Sequence, residues 1–200
     1  MRVFLALIIS IFFSQNLYAD EASIWLKKEI DIILQAYKNE NISNEKRFLL
    51  IENTINYNFA GTGIAKFVSG EAWASANKEI KKDYIKLFKR HLALNITSMM
   101  QGYSDQEYNL ENINYDSKNK VSLINMEIFS NTGSMLITWR VKKSKDRFFV
   151  IDLLVADISL VVTKRSEFVS MLRNVDFQLK ELNILLEQKN NEGYNKLVSP

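Results

Sequence analysis

Residues 147–168, R-F-F-V-I-D-L-L-V-A-D-I-S-L-V-V-T-K-R-S-E-F, constrain the fold of this chain more than any other stretch. Phe148, Phe149, Val150, Ile151, Leu153, Leu154 and Val155 surround Asp152 with apolar neighbours. A strand apolar on both sides has to be covered on both faces. The run breaks at Ala156-Asp157 and resumes as Ile158-Ser159-Leu160-Val161-Val162. It then passes through Thr163-Lys164-Arg165 into a helix that the pattern starts near Ser166. One segment thus supplies a buried strand, a bend and the start of the last helix.

Upstream of it the hydrophobic period is two. The pattern predicts four strands, at 106–115, 120–130, 134–143 and 147–155. Their links, Asp116-Ser117-Lys118-Asn119, Ser130-Asn131-Thr132-Gly133 and Ser144-Lys145-Asp146, are made of turn residues. Links this short between consecutive strands imply an antiparallel meander. Alternation is clearest in the third strand, with Met135, Ile137, Trp139 and Val141 on one face and Ser134, Thr138, Arg140 and Lys142 on the other.

Before residue 106 the period is helical. Leu26, Ile30, Ile33, Leu34 and Tyr37 mark a helix over 21–39, and Phe48, Ile51, Ile55 and Phe59 mark a second. The break between them, Asn41-Ile42-Ser43-Asn44, is rich in N-cap residues. The two helices read as an antiparallel pair. Gly61-Thr62-Gly63 lacks both the third glycine and the preceding strand of a phosphate loop, so it reads as a helix break. A short helix over 64–68 and a link containing Trp73 follow. Ser75 is the expected N-cap of the longest helix, 77–103, whose stripe is Tyr84, Leu87, Phe88, Leu92, Ile96, Met99 and Tyr103. Lys78, Lys81, Lys82, Lys86, Lys89 and Arg90 form the opposite, solvated face. A single final helix over 166–187 carries Phe168, Leu172, Val175, Leu179, Leu182 and Leu186. The polar residues 190–200 read as a disordered tail. The fold class is therefore α+β, with helices packed on a four-stranded antiparallel meander.

The first nineteen residues have a different purpose. Arg2 precedes an apolar run, Val3 to Phe13, of 11 residues. A membrane span needs about 20. Leu17-Tyr18-Ala19 precedes an expected cleavage before Asp20, so 1–19 reads as a secretory signal peptide and 20–189 as one compact domain. The chain has no Cys, which suits an exported protein without disulfides and rules out thiol catalysis and thiolate metal sites. Loss of Arg2 leaves 25 basic against 23 acidic residues, too balanced a charge to argue for nucleic acid.

Catalytic signals are weak. The single His, His91, stands on the long helix with no nucleophile motif in the chain, so it reads as helix surface or pocket rim. One His and no Cys make a zinc site a poor reading. Asp152 and Asp157 are separated by an apolar run. Asp152 reads as a structural carboxylate bonded to Arg140 or Arg165 rather than as half of an acid–base pair. No metal and no cofactor is called for, and no enzyme activity. The turn Lys142-Lys143-Ser144-Lys145 reads as a solvated hairpin, with docking on an acidic partner or anionic lipid as the alternative.

The segment V-I-D-L-L-V-A-D-I-S-L-V-V-T-K-R-S-E-F resembles the signature of the MlaC family, periplasmic phospholipid carriers also called toluene-tolerance auxiliary proteins. Asp152, Ser159, Arg165, Ser166 and Phe168 fall on its marked positions, whereas Ala156-Asp157 replaces the usual Glu-Gly. Y-I-K-L-F-K-R-H-L on the long helix, Gly102-Tyr103 at its end, and T-W-R-V-K-K-S-K-D-R-F-F-V-I-D across the last hairpin fit as well. The resemblance covers about 59–186.

Apolar stripes and a sheet apolar on both faces either fill a core or line a pocket, and composition does not choose between them. The resemblance favours a pocket that holds the acyl chains of a phospholipid. The candidate pocket residues are Phe88, Leu92, Ile96, Met99 and Tyr103 of the long helix, with Ile137, Trp139, Leu153, Val155 and Ile158 of the sheet and its exit. The family also implies partners: an inner-membrane ABC transporter complex with a lipid-binding ring, and an outer-membrane lipoprotein complex. The expected function is periplasmic carriage of phospholipid between the two membranes, maintaining outer-membrane lipid asymmetry. Carriage of another apolar lipid such as a hopanoid, or a non-enzymatic periplasmic adaptor role, are the alternatives.

Overall fold

The structure is a computed structural model that describes residues 21–103, 106–130 and 133–199, so the expected signal peptide lies outside the described residues. Helix α1 covers 21–38. It is followed by α2 (Asn44–Asn58), α3 (Gly61–Ser69), the one-turn α4 (Ala72–Ser75) and the long α5 (Lys78–Met99), which ends in a 3₁₀ turn, Met100–Gly102. Strands β1 (Glu107–Asp116), β2 (Val121–Ser130), β3 (Gly133–Ser144) and β4 (Arg147–Val155) come next, then a two-residue β5 (Ile158–Ser159). Helices α6 (Leu160–Arg173) and α7 (Leu179–Val198) complete the chain. The class is α+β as expected, but the sheet has five strands in the order β1-β2-β3-β4-β5 rather than four. The chain folds into two compact units: one from the segment up to Asp31 with Gln106–Ile158, the other from Ile32–Asp105 with Ser159–Pro200.

In the first unit the sheet is a meander of antiparallel neighbours. The alternation read from β3 is the observed one, with Ile137 opposite Met126 and Val155, and Trp139 opposite Ile124 and Leu153. A bulge between Arg140 and Val141 pairs Arg140 with Asp152 but Val141 with Val150. The extra residue, Ile151, keeps Val150 and Leu153 on one face although they are three apart in sequence. The first half of α1 lies along this face. Ala22, Leu26 and Ile30, at helical spacing, are buried. Glu21 bonds Lys143 at 2.7 Å, and Trp25 stacks on Phe148 with centroids 5.7 Å apart. Asp31 accepts from the Tyr108 hydroxyl at 2.6 Å and from Lys27 at 2.7 Å. Lys27 and then Tyr108 hold its carboxyl below the usual carboxylate range.

The second unit is built around aromatic and aliphatic side chains of α5. Tyr84 and Phe88 are fully buried, and Phe168 of α6 packs edge-on to Phe88 with centroids 5.3 Å apart. Phe48, Ile51 and Ile55 from α2, Val68 from α3, Leu172 from α6 and Leu182 and Leu186 from α7 close the same core. The joint between α1 and α2 follows from its polar residues. Ser43 caps α2 by accepting from Lys46 N, and Arg47 donates to the carbonyls of Ala36, Tyr37 and Asn39 at the end of α1.

Four expectations about helix boundaries change. Asn77, not Ser75, caps α5, accepting from Ile80 N at 2.9 Å, while the Ser75 hydroxyl turns back to Ala72 O. The helix expected to start at Ser166 starts at Leu160, because Ser159 Oγ accepts from Val162 N and supplies a cap six residues earlier. The expected single last helix is two, separated by Asp176 and Phe177 at φ +48° and +56°, with Phe177 N donating to Leu172 O. Of the residues expected as a disordered tail, 190–198 belong to α7, where Asn190 and Leu197 are buried. Arg90 also leaves the solvated face assigned to it. It bonds Glu52 at 2.8 Å and lies over the rings of Phe48 and Tyr194.

Candidate functional site

Two groups of apolar side chains, one in each unit, contain the candidate residues. On the sheet, the rows Met126–Ile137–Val155 and Ile124–Trp139–Leu153 run across adjacent strands. Ile124, Met126 and Ile137 are buried, while Trp139, Leu153 and Val155 remain half-buried. The indole Nε1 of Trp139 is buried and has no hydrogen-bond partner among the described residues. Such a donor costs about 1–3 kcal/mol when left unpaired. Ile158 follows the bend and is 66% exposed.

On α5 the candidates separate by depth. Phe88 is enclosed by Tyr84 and Phe168 and belongs to the core of its unit. Leu92 is buried, and Ile96 and Tyr103 are half-buried, Tyr103 edge-on to Tyr37. Met99 is 67% exposed. The structure therefore groups Ile137, Trp139, Leu153 and Val155 on one sheet face. Phe88 and Leu92 are interior, and Met99 and Ile158 stand open on the surface.

The bend itself departs from ordinary backbone. Ala156 and Asp157 have φ +46° and +64°. Two successive left-handed residues are the dihedral signature of a tight hairpin turn that favours Asn-Gly or Gly-Gly. Ala156 N donates to Leu136 O at 3.1 Å, so the β3–β4 ladder runs up to the turn before the chain reverses into β5 and α6.

The signature residues of 147–168 have structural partners. Asp152 is buried and lies 3.6 Å from the Arg140 guanidinium, one of the two pairings expected for it. Arg165 takes the other course. It donates to Phe67 O and stacks over the Phe67 ring at 4.6 Å. It also borders Gly70, whose φ of +55° is a backbone conformation that a residue with a side chain rarely adopts. Phe168 is the aromatic at the centre of the helical core.

Sequence reasoning missed a polar cluster in the second unit, built around buried Lys164 and Asn190. Lys164, itself buried, donates to Glu167 at 2.7 Å and to Asn95 at 3.2 Å. Asn95 donates to His91 O, and Asn190 joins His91 Nδ1 to Leu87 O. His91 Nε2 stands 3.7 Å from Glu167. The His91 ring and the Lys164 ammonium hold the Glu167 carboxyl down at about 2. A carboxylate this acidic stays ionised at neutral pH and is a poor proton donor. The signal for the cluster was faint: one Lys preceding Arg165, and an Asn in a stretch read as tail. Among the described residues no cluster of His, Asp and Glu is arranged to hold a metal ion, and no helix is long and apolar enough to cross a membrane.

The family model of the MlaC protein matches residues 27–186. The chain belongs to the MlaC family. MlaC proteins are lipid-binding carriers rather than enzymes, and the family is periplasmic. A solved phospholipid-binding protein from Ralstonia solanacearum, in complex with a phospholipid, is similar in fold. It has a TM-score of 0.75 at 17% identity, covering 86% of this chain and 98% of that one. Among curated protein sequences no relative matches. The MlaC assignment rests on a match that includes α5, the whole sheet and both Arg165 and Phe168.

Proposed function

We propose that this protein is a soluble periplasmic carrier that shuttles phospholipid between the outer and inner membranes as the mobile component of an ABC transport system, without catalysis. Membership of the MlaC family over 27–186 carries this reading. The half-buried apolar rows of the sheet support it, since they offer a surface that a filled core would not leave. The lipid-contacting residues in this reading are Ile137, Trp139, Leu153, Val155 and Ile158 on the sheet side, and Leu92, Ile96, Met99 and Tyr103 on α5; Phe88, enclosed in the core of its unit, leaves the expected set. An ester carbonyl of the cargo would accept the hydrogen bond that Trp139 Nε1 lacks. Its partners are an inner-membrane ABC transporter complex with a lipid-binding ring and an outer-membrane lipoprotein complex. An N-terminal signal peptide over 1–19 directs export.

Magnitude sets what such a carrier must do. At about 0.8 kcal/mol per methylene, two chains of about 16 carbons carry about 25 kcal/mol of transfer free energy. A shallow groove would leave much of that in water, so most of both chains have to be enclosed. The phosphate stays wet, because burying it unpaired is costly.

Native mass spectrometry of the protein purified from a bacterial periplasm is the test. The expected result is one phospholipid mass, released on denaturation, and its loss in Ile158→Glu with an unchanged circular dichroism spectrum. Ile158 is exposed enough for the charge to leave the fold intact. A well-folded protein with only an apo mass would refute the carrier reading. Lipid retained in Ile158→Glu would remove that residue from the site.

A further inference from the structure

Within the first unit, the sheet end away from Tyr108 holds a cavity of about 310 Å³ lined by Tyr115, Lys120, Ser122, Lys143, Lys145 and Phe148. The lining comes from all four long strands and their turns. Tyr115 of β1 is paired with Ser122 of β2, and Lys143 of β3 with Phe148 of β4. Lys120 and Lys145 come from the two hairpin turns, one each. The Phe148 ring of the wall is held by Trp25, which stacks on it, and by Lys143, 5.2 Å from its centroid.

We propose that this cavity is a binding site for a phosphate group. Its lining contains three ammonium groups and no carboxylate. Of the neighbouring acids, Glu21 is spent on Lys143 at 2.7 Å, and Asp116 accepts from Asn119 N and Nδ2 within its own turn. Lys120 and Lys145 both sit in left-handed backbone, at φ +56° and +54°. For a residue with a side chain that conformation is costly, and Gly or Asn would serve a turn better. At both turns the residue placed there is a lysine facing the same hollow. The volume is at the lower end of ligand pockets and ample for a head-group-sized anion. The donor set narrows the class further. A planar carboxylate is matched by the fork of an arginine, whereas lysines act as movable point charges around a tetrahedral anion. The hydroxyls of Tyr115 and Ser122 add neutral donors for its remaining oxygens.

A phosphate can come from a dissolved anion or from a lipid head group, and titration separates the two. Inorganic phosphate is added to the purified protein at low salt and followed by amide chemical shifts. Vesicles of phosphatidylglycerol, with phosphatidylcholine as control, are tested by flotation. Saturable shifts at Lys120, Ser122 and Lys145 with inorganic phosphate support the site and identify a solute. Binding to phosphatidylglycerol vesicles alone supports it and identifies a head group. In either case Lys120→Gln with Lys145→Gln should weaken binding at least tenfold without altering the melting temperature, because both side chains are exposed. Glu21→Gln, which releases Lys143 from its carboxylate, should tighten it. No saturable response to either probe overturns the proposal, and so does undiminished binding in the double variant. The lipid carried by the apolar residues is read separately by mass. A protein that binds phosphate yet carries no lipid would sink the carrier reading and leave this one standing.

Discussion

Ala156→Gly isolates the energetics of the bend between β4 and β5. Ala156 is exposed and at φ +46°, and its one backbone bond, from N to Leu136 O, survives the substitution. No packing is lost, so the change reads backbone strain almost alone. Left-handed backbone costs a residue with a Cβ about 1–2 kcal/mol. Glycine removes that strain but loses more freedom on folding, an offset of about 0.4–1 kcal/mol. The expected net gain is therefore about 0.5–1 kcal/mol. For a chain of this size that is a rise of about 1–4 °C in melting temperature. In urea the midpoint should move up with an unchanged slope, since no additional surface is exposed on unfolding. Asp157→Gly should gain less, because Asp tolerates left-handed backbone better than Ala. Ala156→Val should lose more than 1 kcal/mol. A neutral or destabilised Ala156→Gly would show that the bend is not strained, and that the Ala-Asp pair is as well suited to it as the Glu-Gly of the family signature.

Two further outcomes follow from the helical unit. Glu167 has its carboxyl lowered from 4.5 to about 2, so its stabilisation is complete above about 4.5 and is lost as pH falls toward 2. The shift taken at face value is about 3 kcal/mol. With the side chain 42% exposed, solvent screening reduces it to about 1 kcal/mol. Glu167→Gln should therefore cost about that at pH 7 in urea titrations, with the gap closing by pH 2.5; a gap independent of pH would rule this out. Leu197→Ala should destabilise by about 2–5 kcal/mol, since Leu197 is a buried core leucine at the end of α7. An unchanged unfolding midpoint would mean that the last turns of α7 are not packed.

The sheet was legible because two independent signals agree along it. Period-two alternation sets each strand's length, and Asp, Asn, Gly and Lys-Asp turns set its ends, so β2 to β4 fall within a residue or two of expectation. The helix ends were less legible. Val161-Val162-Thr163 is β-branched and looks like strand, but it follows a capping Ser159, and Val161 packs against the helical core. Tertiary burial overrides so weak a propensity. The break at Asp176-Phe177 contains neither Gly nor Pro, the residues by which such a break is usually recognised. Asn190 looked like tail because a single buried amide, bonded to Leu87 O, leaves no periodic trace. For the candidate site, the face bearing Ile137 and Trp139 could be read from alternation alone. That Leu153 and Val155 share it depends on register past the bulge at Arg140, which only the paired backbone reveals.

Strand β1 ends the sheet and pairs only with β2 within it. Its outer backbone groups form a template onto which another chain could add, a hazard for any molecule that also exposes apolar side chains such as Met135, Leu136 and Phe129 nearby. The strand is poorly suited to that misuse. Glu107, Asn109, Glu111, Asn114 and Asp116 spread charge and amides along it, and a shift in register between Glu111 and Asn114 interrupts its straight edge. Acidic side chains brought edge to edge with a second copy would repel, and the bulge would put the two ladders out of step. The exposed apolar side chains near β1 are thus kept from turning its long edge into the seed of a precipitate.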